Sequence, residues 1–335
     1  MKIAVIGAGA IGSLAAGYLK SAGEDVCLAG HADSVKAIKE NGLKISGVRG
    51  ELKVNIGITE TLVAEPELVI LATKTQDLEE ALARNFNFIQ DSVVLATQNG
   101  VQAENIISAL LPEKNIISSI VMFGATYLEP GKVVHNFEGS WVLGNLFSAT
   151  INKSAVPVSM ILNKAFPTLL SDNIKGMKYL KIFINANNCI PAILGVNMQE
   201  AFSDPQISRI SIAIWKEAFE VTSKLEIKLV SLPGFPIERI TKLIAMPPEE
   251  AAKIFSSTMA KLSKDPLYGS VLQSIMRGKV SEIDYINGEF VNLAQRYGLK
   301  AELNKRLVEL VHEVEKNGRF LSKDELLNIT RGLIE

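Results

Sequence analysis

Along the first half of the chain the apolar positions gather in short runs rich in Val and Ile, whereas along the second half they recur three and four apart among charged residues. The runs at residues 2–6 (KIAVI), 25–29 (DVCLA), 67–72 (ELVILA), 92–97 (SVVLAT) and 115–123 (NIISSIVMF) have the length and composition of buried strands. Between the first two, Leu14, Ala15, Tyr18 and Leu19 return at helical intervals, and helical segments separate the next strands as well. Strands that alternate with helices specify a doubly wound α/β fold with a parallel sheet. Residues 132–135 (KVVH) and 140–143 (SWVL), separated by Glu138 and Gly139, predict a hairpin that closes this domain. From Ser154 onward the β-branched alternation disappears, and Pro167 marks a seam. The expected division is residues 1–168 and residues 169–335. The second part reads as helices at 175–194, 208–225, 248–263, 281–297 and 300–316, so an all-α C-terminal domain is expected.

The first strand runs directly into GAGAIG, residues 7–12, and then into a helix. In a strand–turn–helix of this spacing Gly7 permits the tight turn. Gly9 lets backbone N–H groups approach a pyrophosphate, and Gly12 lets the helix lie close to the strand. Ala8, Ala10 and Ile11 complete the loop, and the helix N-terminus attracts the anion. The opening residues also resemble a secretory signal, with Lys2 ahead of an apolar run, but three glycines within six residues weaken such a helix. A Rossmann-type dinucleotide-binding domain in a cytoplasmic protein is therefore expected. The second strand ends LAGHADSVK, with His31 and Lys36 but no carboxylate at its tip, and Asp33 is accounted for as a helix cap. Without an acid to accept from a ribose 2′-hydroxyl, NADP is favoured over NAD.

Composition narrows the partners. The 35 basic and 36 acidic side chains nearly cancel, so no field directs the chain to nucleic acid or an anionic membrane. No run approaches the ~18 apolar residues of a membrane span. His31, His135 and His312 share no ligand spacing, and no metal site is expected. Cys27 and Cys189 stand in apolar stretches and read as small buried hydrophobes. A small molecule is the expected partner, and the helical half has enough apolar surface for a homodimer interface.

Candidate chemistry gathers in four stretches. In KGMKYLKIFINANNCIPAILG, residues 175–195, a continuous helix would put Lys178, Lys181, Asn185 and Asn188 on one stripe, either a solvated face or a functional one. In MRGKVSEIDYINGEF, residues 276–290, Ser281 fits an N-cap with Glu282 in the first helical turn and Asp284 three residues on. Capping alone accounts for both acids, and a carboxylate at such a place also suits a ribose hydroxyl or an ammonium. The loops ATKTQD and TQNG follow two strands at their carboxyl ends, where parallel sheets bind ligands, and place Lys74 and Asn99 there.

Taken in order, GAGAIG, ATKTQD, QNG, the helix with Lys181 and Asn185, and SEIDYINGEF resemble the ketopantoate reductase family over nearly the whole chain. The resemblance implies a Rossmann domain followed by a helical domain, NADPH as hydride donor with NAD as the alternative, and reduction of 2-dehydropantoate to pantoate on the way to coenzyme A. Carried over residue by residue, Lys181 matches the lysine that donates a proton to the forming alkoxide, and Asn185 an amide that holds the substrate. Glu282 matches an acid that contacts the cofactor and supports the site, and Ser270 a substrate-binding serine. Asn99 matches an amide shared by cofactor and substrate, and Lys74 a lysine near the cofactor. The sequence departs from the family at Cys189, where a second substrate-binding Asn is common, at Leu267, where some members have Asn, and at His31, where an arginine is usual. Those departures leave open a different branched 2-oxo acid as substrate. A non-catalytic nucleotide sensor that docks a partner through its helical half is the reading from another class.

Overall fold

The computed structural model describes residues 1–263 and 265–334. The chain divides into two compact units, Met1–Lys175 and Gly176–Glu335.

The first unit holds two sheets. Its strands are β1 (Lys2–Ile6), β2 (Asp25–Ala29), β3 (Leu43–Gly47), β4 (Leu52–Val54), β5 (Gly57–Thr59), β6 (Leu68–Leu71), β7 (Val93–Ala96), β8 (Ile116–Val121), β9 (Gly124–Glu129), β10 (Lys132–Phe137), β11 (Trp141–Gly144) and β12 (Thr168–Leu170). The main sheet has the order β12-β11-β8-β7-β6-β1-β2-β5. All its neighbours are parallel except β8 and β11. From Ile3 onward β1, and the whole of β6, are apolar and buried, as a strand covered on both sides must be, and that is why these residues read as unbroken hydrophobic runs. From β1 the chain winds outward to β2 and β5, then returns to the other side of β1 as β6. The switch in winding direction therefore falls between the carboxyl ends of β1 and β6, the place where such sheets open a ligand crevice.

The second sheet, β4-β3-β10-β9, corrects the expected hairpin. β10 pairs with β9 and β3, while β11 leaves it and joins β8 and β12 in the main sheet. The local turn is Pro130–Gly131, with Gly131 at φ +77°, so the hairpin forms one strand earlier than read from the sequence. At Gly139 the backbone passes so close to Met122 that a Cβ would lie 2.3 Å from its carbonyl oxygen, and this crossing carries the chain back to the main sheet. β12 also continues that sheet beyond residue 168. Cys27 lies on the outward face of β2 and is exposed, contrary to the expectation of a buried thiol. His135 is fully buried, with Nδ1 3.1 Å from the Tyr18 hydroxyl. Burial lowers its pKa, which suits a neutral core imidazole.

The second unit is built from helices. The central one, Pro205–Lys224, starts where the Asp204 carboxylate accepts from the Gln206 amide and a proline occupies the first turn. Ile207, Ile210, Ile214, Trp215, Ala218 and Val221 recur at helical spacing and form its buried side. Glu217 on the same helix caps another, accepting the backbone amides of Leu303 and Asn304 at 2.9 Å each at the start of Glu302–Asn317. A carboxylate at that end complements the helix dipole. Among the described residues, no helix is long and apolar enough to cross a membrane.

Candidate active site

In the first unit the glycine turn, the loop after β6 and the loop after β7 come together at the switch point. Gly7 has φ +111°, and a Cβ there would lie 2.6 to 2.7 Å from the backbone of Ala72 and Thr73. Both the conformation and the clearance therefore require glycine. A Cβ on Gly12 would lie 1.9 Å from the Gly7 carbonyl oxygen, so the helix Ala10–Ser21 can only lie this close to the turn without a side chain. Gly9 is the opposite case, because nothing lies within 4 Å of where its Cβ would be. The turn thus leaves room over Gly9, at the helix N-terminus whose first amides lack intrahelical acceptors.

The other loops are tied to this turn. Gln98 donates from Nε2 to the carbonyls of Leu71 at 3.0 Å and Thr73 at 2.9 Å, which fixes the residue before Asn99 against the β6 loop. Lys74 and Asn99 are both half-buried here. Thr73 Oγ1 and Gln98 Oε1 are buried and lack a hydrogen-bond partner among the described residues. Buried polar atoms left this way normally await water or a ligand. The glycine cradle, the open space over Gly9 and these two atoms fit a dinucleotide. His31 is exposed at the N-cap of the helix Ala32–Asn41, and Asp33 sits in its first turn with Oδ1 on the Ser34 amide, so the expected Asp33 cap is displaced by two residues. No sequence signal marks Thr73 or Gln98, although Gln98 stands beside Asn99 in TQNG.

In the second unit the expected continuous helix is broken. Lys181 and Asn185 lie one turn apart on Ile174–Ala186, and a new helix begins at Cys189–Leu194. Three asparagines within four residues are poor helix formers, and Pro191 has no N–H to offer the Asn187 carbonyl. The Ile190 amide bonds Asn187 instead, at 3.3 Å. The indole of Trp215 caps the Phe183 carbonyl at 2.6 Å. Lys178 is buried, so it does not extend a solvated stripe with Lys181. Lys181 is half-buried, and loss of water around its ammonium lowers its pKa to about 8.

The break gives Cys189 and Asn188 different surroundings. Cys189 is fully buried, its thiol pushed up to about 12 by burial and 3.8 Å from the Asn287 amide nitrogen, so it belongs to the core. Asn188 instead lies against Gly269, where a Cβ would come within 3.0 Å of its Oδ1. Gly269 precedes Ser270, the exposed first residue of the helix Ser270–Met276. Leu267 is half-buried and held by backbone bonds to Met198 and to the Gln199 side chain.

Glu282 is half-buried and precedes a 3₁₀ turn, Ile283–Tyr285, rather than lying in the first turn of a long helix. The following helix is Asn287–Arg296. Its Glu289 carboxylate accepts the Tyr179 hydroxyl at 3.1 Å, both groups being buried. That bond joins the helix bearing Lys181 to the helix that follows Glu282. Burial and the neighbouring carboxylate raise the Tyr179 pKa, which keeps the phenol protonated as the donor.

A glycine turn at the switch point of a doubly wound sheet, followed by a helical unit with a half-buried lysine, defines a dinucleotide-binding oxidoreductase. Residues 3–148 match the family model described as Ketopantoate reductase PanE/ApbA, and residues 173–315 match that of the Ketopantoate reductase PanE/ApbA C terminal. The chain belongs to the ketopantoate reductase family. It is 34% identical to the 2-dehydropantoate 2-reductase of Pyrococcus horikoshii over 95% of this chain and 99% of that one. Among solved structures, D-mandelate dehydrogenase with NADH and anilino(oxo)acetate superposes with a TM-score of 0.80 at 29% identity, covering 95% of this chain and 99% of that one. A PanE/ApbA family ketopantoate reductase from Ralstonia eutropha gives 0.79 at 25% identity, with the same coverage.

Proposed function

We propose that this protein is an NADPH-dependent 2-dehydropantoate 2-reductase that converts ketopantoate to pantoate. The observation that carries the proposal is membership of the ketopantoate reductase family together with Lys181, a half-buried lysine one turn before Asn185 whose pKa burial lowers to about 8. A proton donor works best when its pKa lies near the operating pH, and this lysine is charged at neutral pH yet releases its proton readily.

The roles follow from the residues. Gly7, Ala8, Gly9, Ala10, Ile11 and Gly12 hold the pyrophosphate on the helix N-terminus. His31, with Lys36 five residues on, serves the 2′-phosphate, and Lys74 and Asn99 orient the dinucleotide. When bound, the reduced nicotinamide supplies the hydride. Lys181 stabilises the negative charge that develops on the ketone oxygen and delivers the proton to it. Asn99, Asn185 and Ser270, joined by Asn188, position the 2-oxo acid, and Glu282 contacts the cofactor. The proposed enzyme is cytoplasmic and dimerises through its helical unit.

A second reading is an NADH-dependent reductase of a different branched 2-oxo acid, favoured by the likeness to D-mandelate dehydrogenase with NADH. A panel of 2-oxo acids assayed with NADPH and NADH separates the two. Ketopantoate with NADPH should give the highest kcat/KM, and a larger value for another pair would replace the first reading.

A further inference from the structure

The 3₁₀ turn that Glu282 precedes is held from both sides through one histidine of the helix Glu302–Asn317. Just before Glu282, the Ser281 amide donates to Glu315 Oε1 at 2.8 Å. The other oxygen of that carboxylate, Glu315 Oε2, lies 3.1 Å from His312 Nδ1. Just after Glu282, Asp284 Oδ1 lies 3.0 Å from His312 Nε2. The imidazole thus closes a ring of contacts that begins at Ser281 and ends at Asp284, with Glu282 between them. Ser281 and Glu315 are largely buried, whereas His312 is about 42% exposed, so the histidine can exchange its proton with solvent.

A neutral imidazole has one N–H and can satisfy only one of two flanking carboxylates, whereas an imidazolium donates to both. We propose that His312 is a positioning residue that, in its charged form, clasps Asp284 and Glu315 and so sets the turn that presents Glu282. The proposal rests on Glu282 being a ligand of the site. The charged groups acting on His312 are Asp284 from the turn and Glu315 from its own helix. Partial burial lowers its pKa, but the hydrogen bonds and charges of the two carboxylates outweigh that and raise it overall. The clasp is therefore closed while His312 is charged and opens as pH rises through its ionisation, which the two carboxylates set above that of an ordinary histidine.

The test uses the full chain and the variants His312→Gln, His312→Arg and Glu282→Gln. The dissociation constant for NADPH is measured by nucleotide fluorescence across a range from about pH 6 to about pH 9, which begins near the ordinary histidine value and extends above it, and KM and kcat are measured alongside. Wild type should bind NADPH several-fold more weakly once His312 is neutral. H312Q should bind as weakly at all pH values, and H312R, a permanent cation with a fork of donors, should bind tightly at all of them. In NMR, the ring of His312, one of three histidines, should titrate above the ordinary histidine value and fall toward it in Asp284→Asn. If H312Q fails to fold, the flat tight binding of H312R still decides the matter. If E282Q weakens NADPH but H312Q and wild type share one pH-independent constant, the clasp is refuted alone. If E282Q leaves the NADPH constant and KM unchanged, the assigned role of Glu282 fails and the clasp with it.

Discussion

Replacing Lys181 with Met should abolish turnover and stabilise the protein at once. The side chain is held in its helix at half-burial, and burial is the cause of its lowered pKa. A fall from the ordinary 10.5 to about 8 corresponds to about 3.5 kcal/mol of penalty on the folded cation, at ~1.4 kcal/mol per pH unit. Water reaching the exposed part screens some of this, so about 1–2 kcal/mol is expected from Lys181→Met, whose straight apolar chain fits the same space. The sign in pH follows from linkage. Because the folded pKa lies below the unfolded one, wild type carries the full penalty below pH 8. Between 8 and 10.5 the folded lysine releases its proton while the unfolded one keeps it, and wild type gains stability. The advantage of K181M should therefore be largest at neutral pH and shrink toward pH 10.5. Urea unfolding followed by tryptophan fluorescence reports it, since Trp215 bonds the Phe183 carbonyl two residues from Lys181. A variant no more stable than wild type at neutral pH, or an advantage that grows with pH, would refute the assignment of a desolvated ammonium.

Three further outcomes follow from particular residues. In Gly12→Ala the added Cβ meets the Gly7 carbonyl oxygen at 1.9 Å, so NADPH affinity should fall at least about tenfold and Tm should drop by several degrees (~4 °C or more); unchanged calorimetric binding would contradict the cradle. Asn188→Ala should raise KM for the 2-oxo acid by about tenfold, the loss of one hydrogen bond, whereas Cys189→Ala should leave KM within about twofold, since that thiol is buried against Asn287; the reverse ranking would restore Cys189 to the substrate shell. As a proton donor, Lys181 should make kcat fall with pH above about 8, and a flat profile to pH 10 (about two units higher) would remove it from that role.

Much of the nucleotide side of the molecule is legible in the sequence because its physics is local. A parallel strand buried on both faces must be a continuous apolar run, and the close approaches at Gly7 and Gly12 exclude side chains. Strand pairing is not local. Residues 132–135 and 140–143 look like neighbours along the chain, but their partners lie in different sheets. The short strands β3 to β5, two of them interrupted by lysines, carry too weak an alternation to be seen. In the helical unit, Asn185 and Asn188 keep helical spacing, so the pattern continues through a break that depends on Pro191 and on the capped Phe183 carbonyl. That break moves Cys189 into the core. The supports of the site, Tyr179–Glu289 and His312 with its two carboxylates, pair residues remote in sequence, and each alone looks like an ordinary polar position.

The most direct measurement is a steady-state assay of the purified protein with ketopantoate against NADPH and NADH, run beside Lys181→Ala. Wild type should oxidise NADPH in a ketopantoate-dependent way and prefer it to NADH, and K181A should lose at least about 100-fold in kcat while still binding the nucleotide. A wild-type protein that binds NADPH but oxidises neither nucleotide with ketopantoate, or a K181A variant that turns over as wild type does, would contradict the account.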